Sequence, residues 1–134
     1  MRKYLWKIPV GVMTAVTVCA ILWLTLAPKP LPDSDVRLFE GADKLVHACM
    51  FGGLYFVLSL DRRLFHGRGA MPRGKFVPAL LALVCIVFGG AIELIQGAME
   101  MGRGCDVWDF VADTAGVLLA VAVTPAVLRR IAGQ

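Results

Sequence analysis

Residues 76–99 read FVPALLALVCIVFGGAIELIQGAM, and the first seventeen carry no charged side chain. A hydrocarbon core about 30 Å thick is crossed by roughly 20 residues of helix, so the stretch predicts a transmembrane helix. Its last third nevertheless holds Glu93 and Gln96. Outward from it the pattern repeats. Residues 114–128 are uncharged and extend back through Asp113 and Asp109, and residues 45–60 form a shorter apolar run between Lys44 and Asp61 that contains His47. That run must recruit its flanks, tilt or thin the bilayer to span it. Residues 8–28, IPVGVMTAVTVCAILWLTLAP, are again free of charge.

The chain has 134 residues, is 58% hydrophobic and has a mean hydropathy of +0.72, which places it far from the composition of a soluble domain. The reading is all-α: one small polytopic membrane domain, residues 1–134, with four transmembrane helices at roughly 8–27, 42–61, 76–99 and 107–128. The first run, preceded by Arg2, Lys3 and Lys7, is too long for a signal-peptide core and ends in Pro-Lys-Pro, so a retained helix is expected. Cys19, Cys49, Cys85 and Cys105 form no CxxC pair and read as small apolar residues rather than a disulfide or metal framework.

The net charge of +4 would suggest nucleic acid in a soluble protein, but cytoplasmic loops of membrane proteins collect Lys and Arg. Alternate segments hold ten basic residues against four, which predicts both termini and the 61–75 loop in the cytoplasm. That loop, with Arg62, Arg63, Arg68, Arg73 and Lys75, is suited to anionic head-groups, and His66 within it reads as solvated. Trp6, Trp23 and Trp108 fall near helix ends, as interfacial anchors do.

This orientation gathers the membrane-embedded polar residues on the outer side. A charge within a membrane segment costs about 2.5–3.5 kcal/mol on insertion scales, so such residues face a bundle interior or wet cavity. Glu93 and Asp113 are each ten residues from Arg103, at the centre of the third helical hairpin, and should lie at similar depth. Asp43 and His47, Glu93 and Gln96, and Asp106, Asp109 and Asp113 share helix faces by their three- and four-residue spacings. Five carboxylates (Asp43, Glu93, Asp106, Asp109, Asp113) face at most three positive groups, Lys44, Arg103 and a protonated His47. An excess of carboxylate beside lipid calls for protons or a bound cation. Gly52, Gly89, Gly90 and Gly116 lie near these stripes, where small residues let membrane helices approach.

The ordered set DKLVHACMFGGLYF, EL-IQ within GGAIELIQG, and GRGCDVWDFVADTAGVLL resembles the VanZ-like family of small bacterial membrane proteins over about residues 40–120. The resemblance maps the family's polar positions onto Asp43, Lys44, His47, Glu93, Gln96, Arg103, Asp106 and Asp109, with Gly116 closing the pattern. Asp113 departs from the Asn often found there. The founding member is associated with teicoplanin resistance, so the resemblance implies a multi-pass protein of the bacterial inner membrane and cell envelope, in contact with lipid, and no established reaction.

Three functions fit the residues. One is a pocket binding an amphiphile, a lipid-linked wall precursor or a lipoglycopeptide, with Lys44 and Arg103 on its phosphate or carboxylate. A second is an enzyme acting on a lipid head-group, with His47, Glu93 and either Asp109 or Asp113 binding a divalent metal or sharing acid and base roles. The third is a purely structural bundle held by interhelical hydrogen bonds. No HExxH, GxSxG, P-loop or dinucleotide motif is present, no cofactor is implied, and nucleic acid is not an expected partner. The oligomeric state is not legible.

Overall fold

The computed structural model describes residues 9, 11–27, 41–66, 74, 76–99 and 106–132, with the backbone alone for 65 and 66. These form four helices, α1 (Val12–Leu26), α2 (Ala42–His66), α3 (Val77–Met99) and α4 (Val107–Ala132). α2, α3 and α4 are each long and apolar enough to cross a membrane. α1 is apolar but has only 15 residues, shorter than the 8–27 expected. It starts after Gly11, whose φ of 87° is left-handed backbone that glycine adopts readily, and ends at extended Ala27, before Pro28.

α2 and α4 run past the ends expected at 61 and 128. Asp61 does not terminate α2, because its side chain turns inward and is 4% exposed. Its Oδ2 accepts from the Thr14 amide N–H at 3.1 Å and from the Thr14 hydroxyl at 2.5 Å. The Thr14 amide belongs to the first turn of α1, whose N–H groups lack intrahelical partners, so Asp61 caps α1 from another helix. The other end of α1 is held in the same manner: the Gln96 amide of α3 donates to the Thr25 carbonyl at 2.8 Å. α4 continues to Ala132 with Arg129 and Arg130 in its last turn, where cations suit the helix dipole.

The most extensive pairing is α2 with α4. A Cβ on Gly116 would overlap the Ala48 backbone, and one on Gly52 would lie 2.9 Å from the Gly116 carbonyl oxygen. Backbones therefore meet directly along this seam, as small residues allow in membranes. Phe51, Leu54, Tyr55, Ala82, Cys85, Ile92 and Val117, with Ile21 of α1, form the buried core. Large apolar side chains such as Leu83, Leu94 and Leu119 are exposed on the outside of the bundle, a surface suited to lipid. Trp23 and Trp108 are exposed as well, as are the free thiols of Cys19 and Cys49, while Cys85 is buried. Trp6, Cys105 and the loop cations Arg68, Arg73 and Lys75 lie outside the described residues.

Candidate functional site: a carboxylate-rich cluster at one end of the bundle

The start of α2, the end of α3 and the start of α4 meet at one end, and the polar residues of all three converge there. Asp106 precedes α4 as its N-cap, accepting the Trp108 N–H on Oδ1 at 2.8 Å. This bond first, and the Lys44 ammonium second, hold the Asp106 carboxyl below its ordinary pKa. The Asp106 amide N–H in turn donates to Glu93 Oε2 at 3.2 Å. A side chain of α3 thus fixes the entry of α4.

Lys44 is saturated. Its Nζ lies 3.3 Å from Asp43, 3.1 Å from Asp106 and 3.1 Å from Asp109. Three carboxylates around one ammonium use its three donors. In this arrangement Lys44 neutralises the acidic rim.

Deeper in, His47 Nδ1 stands 3.0 Å from Asp113 Oδ1. Asp113 is fully buried at 0% exposure and Glu93 is 3% exposed. Each also has an oxygen with no partner among the described residues, Asp113 Oδ2 and Glu93 Oε1. The glycine at 89 makes this placement possible, since a Cβ there would be 3.0 Å from Asp113 Oδ2. Burying an unpaired carboxylate oxygen carries a desolvation cost of several kcal/mol unless something donates to it. The deep part of the cluster is thus an acceptor looking for a donor.

Of the two aspartates expected beside His47 and Glu93, the geometry favours Asp113. One ligand atom each from His47, Glu93 and Asp113 lies within 4.8 Å of the others. Asp109 is drawn aside to Lys44, with Oδ2 at 3.9 Å from His47 Nε2. Asp113 takes its place because, four residues further along α4, it lies a turn deeper on the same face.

The VanZ/LLP1 family model matches residues 4–129. The chain belongs to the VanZ/LLP1 family. Comparisons with curated proteins and with solved structures found no match. Membership and three membrane-length apolar helices together make it a membrane protein.

Of the residues singled out in this VanZ/LLP1 chain, Asp43, Lys44, His47, Glu93, Asp106, Asp109 and Asp113 come together. Gln96 spends its amide on α1, and Arg103 lies outside the described residues. Gly52 and Gly116 sit in the α2–α4 seam, Gly89 against Asp113 and Phe51, and Gly90 against the Phe110 ring. Sequence reading missed Asp61, treated as a flank, and the buried Thr25 and Thr124. Helical spacing was the available signal: Asp61 is seven residues from buried Leu54, and Thr124 seven from buried Val117.

Proposed function

We propose that this VanZ/LLP1 protein binds the polar head of an amphiphile in the His47–Glu93–Asp113 cluster, at the outer side of the bacterial inner membrane. The observation that carries the reading is the pair of buried carboxylate oxygens on Glu93 and Asp113 that have no partner among the described residues. Lys44 is already held by three carboxylates, and the unpartnered atoms of Glu93 and Asp113 are carboxylate oxygens, so the feature proposed for recognition is a donor: an ammonium, an amide N–H or a hydroxyl group. A lipoglycopeptide and a lipid-linked wall precursor both present such donors on a lipid-anchored head. The outward orientation rests on the ten-to-four excess of Lys and Arg on the opposite side. A contribution to teicoplanin resistance follows if the glycopeptide itself is the ligand.

The test is titration of the protein in nanodiscs with teicoplanin and, separately, with a lipid-linked wall precursor. Glu93→Gln and Asp113→Asn should each weaken binding at least tenfold while membrane levels hold. Unchanged binding in both variants, or no binding of either amphiphile, refutes the reading.

The clustering of one imidazole and two carboxylates favours a second reading, a divalent cation, with or without chemistry on a head-group. Bonds of about 2.1 Å would bring ligand atoms within roughly 4.2 Å of one another, and the three here lie within 4.8 Å. Loss of binding on chelation, restored by zinc or another divalent ion, distinguishes this reading from the first.

A further inference from the structure

The opposite end of the bundle carries a second site, made of different residues. A cleft of about 330 Å³ is lined on its polar side by Arg62 and Arg63 of α2 and by Thr124 and Arg129 of α4. Its volume is at the small end for ligand pockets, the scale of a head-group rather than of a whole lipid. Three arginines share it. Among the described residues none of the three forms an ion pair, although Asp61 is next to Arg62 in sequence. Asp61 is turned to α1 and holds Thr14 instead.

Two further groups distinguish this cleft from a basic surface lying on lipid. Thr124 is 4% exposed, and among the described residues neither its buried hydroxyl nor the buried Arg62 Nε–H has a partner. Both residues line the cleft. Each buried donor lacking an acceptor carries a desolvation cost, and three cations in one small volume repel. One anion relieves all of these at once. Guanidinium groups match the geometry of phosphate oxygens, and a threonine hydroxyl adds a donor to the same group. Val121, Pro125, Leu128 and Pro78 supply an apolar wall for the rest of the molecule.

We propose that this cleft binds a phosphate group, carried by an anionic amphiphile whose chains lie in the leaflet opposite the carboxylate cluster. Generic adsorption of arginines onto anionic lipid depends on charge alone. A built site depends on the fork of Arg62 and on the hydroxyl of Thr124, and variants that keep the charge separate the two.

The experiment uses the full chain in neutral dodecyl maltoside micelles, titrated with dihexanoyl phosphatidic acid, dihexanoyl phosphatidylcholine and inorganic phosphate, with native mass spectrometry as the readout. Phosphatidic acid should bind saturably, one per chain. Arg62→Lys and Thr124→Val should each weaken it about tenfold, the scale of one lost hydrogen bond to a charged group. Arg130→Gln, outside the lining, should change it less than twofold. Tighter binding of phosphatidic acid than of inorganic phosphate assigns the site to a lipid, and equal binding supports the phosphate site while assigning it to soluble phosphate. Losses that follow total charge, with Arg130→Gln as damaging as Arg62→Lys and Thr124→Val without effect, overturn the proposal, as does failure of every phosphate probe to bind. If Thr124→Val does not accumulate in membranes, Arg129→Lys, at an exposed position, carries the same expectation.

Discussion

Replacing Gly116 by alanine tests the packing on which the carboxylate cluster depends. The added methyl would be built into the Ala48 backbone, 2.7 Å from its carbonyl carbon and from its Cα and closer still to its oxygen. Ordinary contact is about 3.4 Å and the carbonyl oxygen is the nearest atom, so α2 and α4 must part by more than about 1 Å at this point. Neither neighbour is a flexible side-chain end, so backbone has to move. Overpacking of this kind costs about 1–3 kcal/mol. The separation also falls one turn from the His47–Asp113 contact, now 3.0 Å, and should lengthen it. Gly53 is the control, because nothing lies within 4 Å of a Cβ built there. Gly53→Ala should be neutral or stabilise by up to about 1 kcal/mol through helix preference. Equilibrium unfolding in mixed dodecyl maltoside and dodecyl sulfate micelles measures both. If Gly116→Ala proves as stable as Gly53→Ala, the backbone seam between α2 and α4 is refuted, and the placement of Asp113 beside His47 loses its support.

Other perturbations probe separate joints of the bundle. Thr14→Val removes the hydroxyl that donates to buried Asp61 and should destabilise by about 1–3 kcal/mol, read from the same unfolding curves. Gln96→Leu removes the donor to the Thr25 carbonyl, and an interhelical bond of this kind in a membrane averages roughly 0.6 kcal/mol with a maximum near 1.7. A double-mutant cycle of His47→Ala and Asp113→Asn should give a coupling of about 0.5–3 kcal/mol, whereas additivity would deny the contact. Asp106 has its folded pKa lowered, so its contribution is fully present above the unfolded value of 3.8 and is lost as pH falls through the folded one. Asp106→Asn should therefore flatten the fall of stability with pH below about 3.8.

The helices were legible because their cause is local. Seventeen uncharged residues from Phe76 to Ile92 demand a buried helix whatever else the chain does, and the short charge-free runs elsewhere repeat the demand. Ends were less legible, because they are set by partners distant in sequence. Asp61 looked like a boundary, yet a neighbouring helix end needed its oxygens, so α2 continues through it. No reading of α2 alone could show that need.

The same distinction separates what was visible in the cluster from what was not. Spacing placed His47, Glu93 and Asp113 at one end, since three- and four-residue intervals fix the face of a helix and hairpin symmetry fixes depth. Spacing could not say which carboxylate Lys44 would claim. Asp109 and Asp113 share a face, and the choice falls to reach: the ammonium stays near the rim, meets Asp109 at 3.1 Å, and leaves Asp113 to the imidazole. That division of partners gives the cluster its character, a neutralised rim above a deep pair of acids with unsatisfied oxygens. It also turns the expected ligand around. A free Lys44 would have suited an anionic head, whereas one held by three carboxylates suits the donating head proposed above. The anion-seeking groups instead gather at Arg62, Arg63 and Arg129, beyond the far end of the α2–α4 seam. Carboxylates gathered at one end and arginines at the other give the two ends of the bundle opposite charge, and which residues meet at each end follows from how the seam sets α2 against α4.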